Sequence, residues 1–307
     1  MKKIEKYLIR EKIIKTIREF FYRQNFHEVI VPLLNTALPL EPNLRPFITT
    51  QKSRDTDRTY YLAMSPERGI KNMLAQGMGD CFAISKSFRN YEQVGTLHMN
   101  EFIMLEWYRK GVAYTAIMND VEQLLTEIDK KMRNTAQLQK NHLQRVSLND
   151  LFEKRIGINL DTLITDEKLL WEVAKKKGYK TTGATWEELY DQLFVNEIES
   201  TFSHEAFFLI DFPARISPLC KTDHKNPHFA ERFELYIHGI EMGNGNTENT
   251  DTTSIQKLFE KESKKTGMPL DEQFLASLEQ MKDTTYAGVG IGIDRLTMLY
   301  TNLDIFV

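Results

Sequence analysis

The fold of this chain is decided by residues 83–108, AISKSFRNYEQVGTLHMNEFIMLEWY. Polar and apolar side chains alternate at both ends of this stretch, which predicts two strands joined by a polar loop. On the first strand, Ser85, Ser87 and Arg89 share one face. One face of the second strand carries Phe102, Met104, Glu106 and Tyr108. Because a cation, a ring, a carboxylate and a phenol occupy these faces, the hairpin suits a ligand with a phosphate, a flat base and an amine.

Length and composition exclude several classes of protein. At 307 residues, the chain suffices for one large domain or two of ordinary size. Its two cysteines, Cys81 and Cys220, exclude a disulfide framework or a cysteine-rich zinc site and fit a reducing cytoplasm. No apolar run approaches the ~20 residues that a membrane span requires, and the N-terminus lacks a signal-peptide core. The net charge of -3 argues against a protein whose main task is binding nucleic acid.

Hydrophobic periodicity and turn residues place the remaining elements. Apolar residues at helical spacing predict helices over 4–24, 113–132, 186–199, 253–265 and 271–281. Strands are predicted over 27–34, 60–63 and 206–214, and a strand or a bent hairpin arm is predicted over 231–245. A glycine-rich strand that continues directly into a helix is predicted over 288–300. Because no repeat, low-complexity tract or clear linker interrupts this order, we predict one continuous domain.

Two shorter segments carry weaker signals. The sequence Ser65-Pro66-Glu67 predicts the start of a helix, with Ser65 as its N-cap. His98 lies in the hairpin loop, where it can reach a phosphate, whereas the other histidines are predicted to be surface or structural residues. Neither cysteine has a neighbouring histidine in a catalytic arrangement, so covalent catalysis is not favoured.

Three carboxylates recur at intervals of seven residues, at Glu234, Glu241 and Glu248. Nearby glycines favour a strand over a helix for this segment. In a flat strand Glu234 and Glu241 would face opposite ways, since seven is odd, and a bulge near Gly239 would bring them together. Such a pair suits Mg²⁺ held jointly with nucleotide phosphates. From these residues alone, a solvated charged strand is an equally good interpretation.

The glycines of the last strand form the pattern GxGxGxDR, which differs from the GxGxxG fingerprint of dinucleotide-binding folds. Gly288, Gly290 and Gly292 would strip one strand face of side chains, so that a flat ligand could lie against the backbone. Arg295, at the start of the following helix, could then stack on that ligand or meet its phosphates. Together with Arg89 this predicts a nucleotide site with two arginines and no Walker lysine motif.

Three long segments resemble the motifs of class II aminoacyl-tRNA synthetases. The hairpin FRNYEQVGTLHMNEFIMLEWYR resembles motif 2, GVGIGIDRLTMLYTN resembles motif 3, and the helix and strand that end at Pro32 resemble motif 1, which builds a dimer interface in that class. SPE at 65–67, ISPL at 216–219 and ERFELYIHGIEMGNGNTEN at 231–249 are similar to the lysyl-tRNA synthetase branch. The resemblance implies an α+β fold, a class II catalytic core with a mainly antiparallel sheet flanked by helices.

The order of the motifs distinguishes two branches. A bacterial lysyl-tRNA synthetase carries an anticodon-binding domain before motif 1, whereas motif 1 begins here within the first dozen residues. The chain therefore resembles the elongation factor P–lysine ligases, as does EPNLRPF at 41–47, and a single catalytic domain over 1–307 is expected.

That resemblance implies an AMP-forming enzyme that uses ATP and Mg²⁺. It would activate (R)-β-lysine or lysine and transfer it to a lysine side chain of elongation factor P. A cytoplasmic homodimer joined through motif 1 is implied, with neither tRNA nor a membrane as partner. Two alternatives stay open, a minimal lysyl-tRNA synthetase and a non-catalytic regulator that binds lysine or nucleotide.

The resemblance also implies roles for individual residues. Arg89 and Arg295 would be catalytic, and Glu234 and Glu241 would hold Mg²⁺. The implied ATP-binding residues are Arg89, Asn90, Glu92, His98, Phe102, Glu241, Met242, Gly292 and Arg295. The implied substrate-binding residues are Ser65, Pro66, Glu67, Glu106, Tyr108, Glu248 and Gly290. Among these, Glu67 would receive one substrate amine, while Glu106, Tyr108 and Glu248 would surround the distal ammonium.

The chain departs from the family pattern at several positions. Tyr91 stands where the family has a glutamate after Arg-Asn, so Glu92 is expected to take over the contact to the adenine amino group. Ser65 is the residue typical of the β-lysine ligases, whereas Gly243 and Gly290 are typical of the tRNA synthetases. Because glycine leaves more room beside the substrate, we predict that the enzyme accepts α-lysine as well as, or instead of, β-lysine.

Overall fold

The computed structural model describes residues 2–42, 44–91, 95, 98–133, 136, 138, 142–203 and 205–301. The chain divides into two compact units. The first unit comprises Met1–Lys140 and Thr250–Val307, and the second comprises Asn141–Asn249. Among the described residues, no helix combines the length and the apolar character needed to cross a membrane.

The first unit begins with helix α1 (Lys3–Arg23), which buries Ile13, Ile17, Phe20 and Phe21 at helical spacing. Four short strands follow, β1 (His27–Glu28), β2 (Leu34–Asn35), β3 (Ile48–Gln51) and β4 (Arg58–Leu62). Strands β2, β4 and β3 form an antiparallel sheet in that order. The prediction of one strand over 27–34 was wrong, because β1 ends before Pro32, which has no N–H to donate to a ladder.

The predicted hairpin is confirmed. After helix α2 (Glu67–Ala75), strands β5 (Cys81–Phe88) and β6 (Glu101–Lys110) pair antiparallel, and helix α3 (Tyr114–Lys131) follows. One face of the hairpin packs against α1, where the ring of Phe21 lies 4.7 Å from that of Phe82 and 5.1 Å from that of Trp107. The opposite face carries Phe102, Glu106 and Tyr108, and its Tyr108 end packs with Ile70 and Leu74 of α2.

The second unit places helices and strands around an aromatic core. Its elements are β7 (Gln144–Ser147), α4 (Leu148–Ile156), α5 (Leu160–Thr165), α6 (Glu167–Lys176), α7 (Trp186–Leu193), β8 (Ala206–Ile210), β9 (Arg232–Ile237) and β10 (Ile240–Thr247). The strands pair in the order β7-β8-β9-β10, parallel between β7 and β8 and antiparallel elsewhere. A side chain caps the start of every one of these four helices, as the sequence dictates, at Ser147, Asn159, Asp166 and Thr185.

The helix predicted over 186–199 is regular only in its first half. It is an α-helix to Leu193, widens to a π-turn over Phe194–Ile198 and ends in a 3-10 turn over Glu199–Thr201. Another 3-10 turn occupies Ala214–Ile216.

The last segment returns to the first unit. It contains α8 (Thr252–Thr266), α9 (Glu272–Met281), β11 (Tyr286–Gly292) and α10 (Ile293–Met298), which agree with the predicted helices and glycine-rich strand. Strand β11 pairs antiparallel with β6, so that four strands of this unit pair in the order β1-β5-β6-β11. With helices beside mostly antiparallel strands in both units, the α+β class is confirmed.

Candidate active site

The face of β6 that carries Phe102, Glu106 and Tyr108 lies between two rows of small residues on the neighbouring strands. Directly paired residues of neighbouring strands share a face. On the β5 side the pairs are Ser87–Phe102, Ser85–Met104, Ala83–Glu106 and Cys81–Tyr108. On the β11 side they are Gly292–Met104, Gly290–Glu106 and Gly288–Tyr108. The ring, the carboxylate and the phenol predicted to share a face therefore do so, and little side-chain bulk flanks them.

The three glycines of β11 have different structural roles. A Cβ at Gly288 would lie 2.4 Å from a ring carbon of Tyr108, so this glycine makes room for the tyrosine and not for a ligand, contrary to the prediction. A Cβ at Gly290 would meet the Met104 sulfur at 3.5 Å, and one at Gly292 would meet Arg295 at 3.7 Å, which are ordinary contacts. Only these two glycines leave open surface on the strand.

One end of the face brings together a guanidinium and an aromatic ring. The guanidinium carbon of Arg89 lies 5.3 Å from the centre of the Phe102 ring, within cation–π range. The Arg89 Nε donates to the carbonyl oxygen of Met64 at 3.4 Å. Arg89 and Phe102, both predicted to bind ATP, are thus neighbours.

The loop after Arg89 is described only in part. Asn90 is half-buried, and its backbone N–H donates to the carbonyl of Arg45 at 2.8 Å. Tyr91 is exposed and has a left-handed backbone, with φ of 60°. His98 is exposed, and its carbonyl accepts the N–H of Gly95. Glu92, predicted to contact adenine, lies outside the described residues.

A buried carboxylate joins strand β6 to helix α10. Asp294 accepts the backbone N–H of Ile103 at 2.6 Å and the Arg10 guanidinium at 3.1 Å. Phe102 precedes Ile103 and Arg295 follows Asp294, and both are residues predicted to bind ATP. In the sequence, Asp294 stood out only as part of the GxGxGxDR pattern. The available signal for its role was a lone acid between Ile293 and Arg295 at the start of an apolar helix.

The other end of the face gathers the residues predicted to bind amines. Tyr108 and Glu106 are buried, and the Tyr108 hydroxyl donates to Glu106 Oε1 at 2.7 Å. Glu67 lies in the first turn of α2, where its backbone N–H donates to the Ser65 hydroxyl at 3.2 Å. The helix starts one residue later than predicted, yet Ser65 still supplies this acceptor. Pro66 between them is buried.

A lysine that was not predicted as a site residue lies between Glu67 and Tyr108. Lys71 is buried, its Nζ lies 2.5 Å from Glu67 Oε1, and it lies 5.5 Å from the centre of the Tyr108 ring. The spacing of four residues between Glu67 and Lys71 was the available signal. A small cleft opens beside Glu67, and its lining residues are Leu38, Pro39, Glu41, Met64, Ser65, Glu67 and Arg68.

The second unit holds the remaining predicted carboxylates. The chain reverses direction at His238 and Gly239, both with positive φ, and Glu241 then pairs with Tyr236. Because Tyr236 and Glu234 are two residues apart on β9, Glu234 and Glu241 share a face. The prediction of a bulge near Gly239 was wrong, since a reverse turn brings the two together and the register shift falls at the buried Met242.

Glu234 is held in a buried polar network. Its oxygens accept from Arg232 Nη2 at 2.6 Å and from the Tyr236 hydroxyl at 3.0 Å. The same hydroxyl lies 2.9 Å from Glu199 Oε1. Burial, opposed by Arg232 and assisted by Glu241, raises the pKa of Glu234 to about 7. Burial and the surrounding carboxylates raise the pKa of Tyr236 as well, so the phenol keeps its proton and acts as a donor.

Glu248 follows directly after β10. It is buried, and its Oε1 accepts from the Asn246 side chain at 3.2 Å. A bridge pairs its backbone with that of Cys220. The fold therefore places this acid in a protected polar position within the second unit.

Comparison with known protein families identifies the family of this chain. The family model for tRNA synthetases class II (D, K and N) matches residues 2–305. The chain belongs to the class II tRNA synthetases. This confirms the resemblance found in the three motifs.

Relatives of this class II synthetase carry two kinds of name. The elongation factor P–(R)-beta-lysine ligase homolog of Aquifex aeolicus is 33% identical over 288 residues, which cover 94% of this chain and 92% of that protein. The elongation factor P–(R)-beta-lysine ligase of Sodalis glossinidius is 32% identical over 309 residues, 97% of this chain and 91% of that one. The lysine–tRNA ligase of Carboxydothermus hydrogenoformans is 32% identical over 313 residues, 97% of this chain but only 63% of that protein.

The residues of this class II synthetase fit ATP and Mg²⁺. Gly290 and Gly292 leave room against β11, and Arg89 lies beside Phe102. Within the part of the chain that the structure describes, no group of three or more His, Cys, Asp or Glu side chains could hold a metal. Magnesium bound with a nucleotide commonly uses one or two carboxylates together with phosphate oxygens, and Glu234 and Glu241 offer two on one face. Their roles toward metal, ATP and substrate stay predictions.

Proposed function

We propose that this chain is an ATP-dependent, AMP-forming ligase. It activates lysine or (R)-β-lysine and transfers the acyl group to a lysine side chain of elongation factor P. The observation that carries this proposal is that the two ends of one sheet face have different chemistry. The Arg89 guanidinium and the Phe102 ring lie at one end, whereas the Glu106 carboxylate and the Tyr108 phenol lie at the other. The coverage of nearly the full length of the two elongation factor P ligases supports the same assignment.

Activation needs charge neutralisation more than a base. The substrate carboxylate attacks the α-phosphorus of ATP in line, an O–P bond forms, and pyrophosphate leaves with the electron pair of the broken bond. Arg89 would orient the carboxylate and the α-phosphate, and Arg295 would stack on adenine opposite Phe102. Magnesium, held by Glu234 and Glu241, would neutralise phosphate charge.

Selection of the substrate would rest on buried carboxylates. A lysine carries two ammonium groups, and taking an ammonium out of water is unfavourable unless a negative partner replaces the water. Glu106 is buried and Glu67 borders the cleft, so each could receive one cation. Glu248 is proposed to contribute at the distal amine. Amino acids that lack the second ammonium would leave a buried carboxylate unpaired and be rejected.

Transfer completes the proposed reaction. The neutral amine of the acceptor lysine attacks the carbonyl carbon of the adenylate and forms a C–N bond. The C–O bond to the phosphate breaks, AMP leaves with that electron pair, and the amine loses a proton to solvent. Elongation factor P is a cytoplasmic translation factor, so we place the enzyme in the cytoplasm.

A minimal lysyl-tRNA synthetase is the second candidate. It is favoured by the 32% identity to the lysine–tRNA ligase and by the glycines at 243 and 290. The protein is incubated with ATP, labelled lysine and either elongation factor P or tRNA. We expect label on elongation factor P. Label on tRNA alone would overturn our preference, and an absence of ATP–pyrophosphate exchange with both lysine isomers would favour a non-catalytic regulator.

We further propose that the enzyme is a homodimer joined through the motif 1 region. Large apolar side chains are exposed there, with Ile30 96% accessible and Ile4, Leu8 and Tyr22 more than half accessible. Contiguous exposed apolar surface commonly marks an interface. Analytical ultracentrifugation of the wild type and of Ile30→Glu tests this, and a wild type that sediments as a monomer would contradict it.

A further inference from the structure

Lys71 is a charged residue with an almost fully buried side chain, which retains 2% of its accessible surface. It lies one turn after Glu67 on α2, with Nζ 2.5 Å from Glu67 Oε1. Two aromatic rings flank the ammonium, with centres at 5.5 Å for Tyr108 and 5.4 Å for Phe274. The ammonium is therefore enclosed by a carboxylate and two ring faces.

Stability alone does not explain a cation at this position. Burial removes the ammonium from water at a large desolvation cost, which the ion pair with Glu67 offsets only in part. A methionine could fill the same space between Tyr108 and Phe274 without that cost. Buried ion pairs can often be replaced by apolar residues without loss of stability. The charge of Lys71 therefore calls for a role in the chemistry of the site.

The partner of Lys71 lies at the boundary between the interior and the cleft. The Glu67 side chain is 13% accessible and lines the cleft together with Ser65. The Ser65 hydroxyl accepts the backbone N–H of Glu67, while Lys71 contacts the carboxylate from the buried side. The Ser65 hydroxyl thus fixes the backbone of Glu67, and the ion pair with Lys71 limits the rotamers that its side chain can adopt.

The same lysine also borders the second amine-binding carboxylate. The Tyr108 ring that faces Lys71 carries the hydroxyl that donates to Glu106 at 2.7 Å. A shift of the ammonium would therefore disturb Glu67 directly and Glu106 through this ring. Lys71 thus contacts Glu67 directly and is connected to Glu106 through the Tyr108 side chain.

We propose that Lys71 is a positioning residue for recognition of the substrate amine, and that it acts by holding the Glu67 carboxylate in the orientation that an ammonium ligand requires. This rests on the proposed function, in which Glu67 receives a substrate amine. The ligand class is a primary ammonium, as in lysine or β-lysine. Lys71 itself makes no contact with the reacting atoms.

The proposal is tested by ATP–pyrophosphate exchange, in which the concentrations of lysine and ATP are varied separately. The assay compares the wild type with Lys71→Met, Lys71→Arg, Glu67→Gln and the double variant Lys71→Met/Glu67→Gln. We expect Lys71→Met to raise the KM for lysine about tenfold and to leave the KM for ATP within about twofold. Lys71→Arg should recover most of the loss. In the Glu67→Gln background, Lys71→Met should raise the KM for lysine by less than about twofold, because Glu67, the residue through which Lys71 acts, is already changed.

The matched control is Lys15→Met. Lys15 pairs with Glu11 at the same spacing of four residues on α1, at 2.6 Å, but both side chains are exposed. This variant should leave both KM values unchanged. Isothermal titration of lysine binding to each folded variant, together with thermal unfolding, separates lost affinity from lost protein.

Several outcomes would overturn the proposal. Equal increases in both KM values, or a fall in kcat that only follows a fall in the folded fraction, would make Lys71 purely structural. A tenfold effect of Lys71→Met in the Glu67→Gln background would show that it does not act through Glu67. If the wild type is active and Lys71→Met has the same KM for lysine, this proposal is refuted but the proposed function is not. A wild type that neither exchanges with nor binds either lysine isomer refutes the proposed function and this proposal together.

Discussion

Asp294 accepts a hydrogen bond at 2.6 Å from the backbone N–H of Ile103, a residue 191 positions earlier in the chain. The bond joins the first turn of α10 to the start of β6. It also sets the distance between the adjoining residues Phe102 and Arg295, the proposed walls of the adenine site. The Arg10 guanidinium binds the other oxygen of the same carboxylate, so that α1 is tied to this junction as well.

Replacement of Asp294 should weaken ATP binding selectively. Asp294→Ala removes the acceptor for Ile103 and leaves Arg10 without its buried partner, so we expect the KM for ATP to rise about tenfold and the unfolding free energy to fall by about 1–3 kcal/mol. The KM for lysine should change by less than about threefold, because Glu67 and Glu106 are bound by other residues. Asp294→Asn keeps an acceptor oxygen and should show a smaller effect. Equal changes in both KM values would contradict a specific role at the adenine end.

The two glycines Gly288 and Gly290 should respond in opposite ways to alanine. At Gly288 the new methyl would lie 2.4 Å from the Tyr108 ring and 2.7 Å from the Trp107 carbonyl, so backbone or ring must move. We expect Gly288→Ala to lower the unfolding free energy by about 1–3 kcal/mol. Urea unfolding measures the change. A variant as stable as the wild type would show that the strand shifts without cost.

Gly290→Ala should fold normally but alter substrate choice. Its methyl would meet the Met104 sulfur at 3.5 Å, an ordinary contact, and would project over the face beside Glu106. Because the alanine occupies space next to the substrate backbone, we expect kcat/KM for α-lysine to fall relative to that for (R)-β-lysine by about tenfold. Exchange assays with both isomers measure the ratio. An unchanged ratio in a folded variant would remove Gly290 from the list of specificity residues.

Tyr236 should tune metal binding through Glu234. Its hydroxyl lies within hydrogen-bond distance of Glu234 and Glu199, and outer-shell partners of this kind commonly change metal affinity by ~10–100-fold. We expect Tyr236→Phe to raise the Mg²⁺ concentration for half-maximal exchange by about tenfold, and to weaken Mn²⁺ binding measured with ATP by electron paramagnetic resonance.

The matched control for Tyr236→Phe is Tyr190→Phe. Tyr190 is buried in the same unit, and its hydroxyl has no hydrogen-bond partner among the described residues. Loss of this hydroxyl should leave the Mg²⁺ requirement unchanged. Equal effects of the two substitutions would attribute the change to core packing and not to Glu234.

Protonation of Glu28 should lower the free energy of unfolding at acidic pH. Burial raises the pKa of this carboxyl, but hydrogen bonds from Arg18 and Tyr22 outweigh burial, so its pKa lies below the ordinary value of 4.5. A carboxyl whose pKa is lowered by folding stabilises the folded state above its ordinary pKa and loses that contribution as pH falls through the folded value. The stability difference between wild type and Glu28→Gln should be constant near neutral pH and shrink below about pH 5.

Urea unfolding at stepped pH measures this difference. Glu11→Gln serves as the control, because Glu11 belongs to an exposed pair with Lys15 and exposed pairs contribute little to stability. A difference between wild type and Glu28→Gln that does not change with pH would contradict the role of the carboxylate charge.

The amino-acid sequence determined the local structure and the composition of the site. Alternation along 83–108 placed Phe102, Glu106 and Tyr108 on one face, and apolar periodicity and capping residues located the helices. These features depend on neighbours within a few residues, so a strand or helix period is sufficient to predict them. The three motifs were likewise continuous segments, and they led to the class II family.

Only the tertiary structure decided how distant segments share space. It placed Lys71 between Glu67 and the Tyr108 ring, brought Asp294 to Ile103, filled the space at Gly288 with Tyr108 and reversed the chain at His238 and Gly239. Such contacts depend on how elements pack once they have formed, and packing couples residues whose separation in the sequence carries no periodic signal.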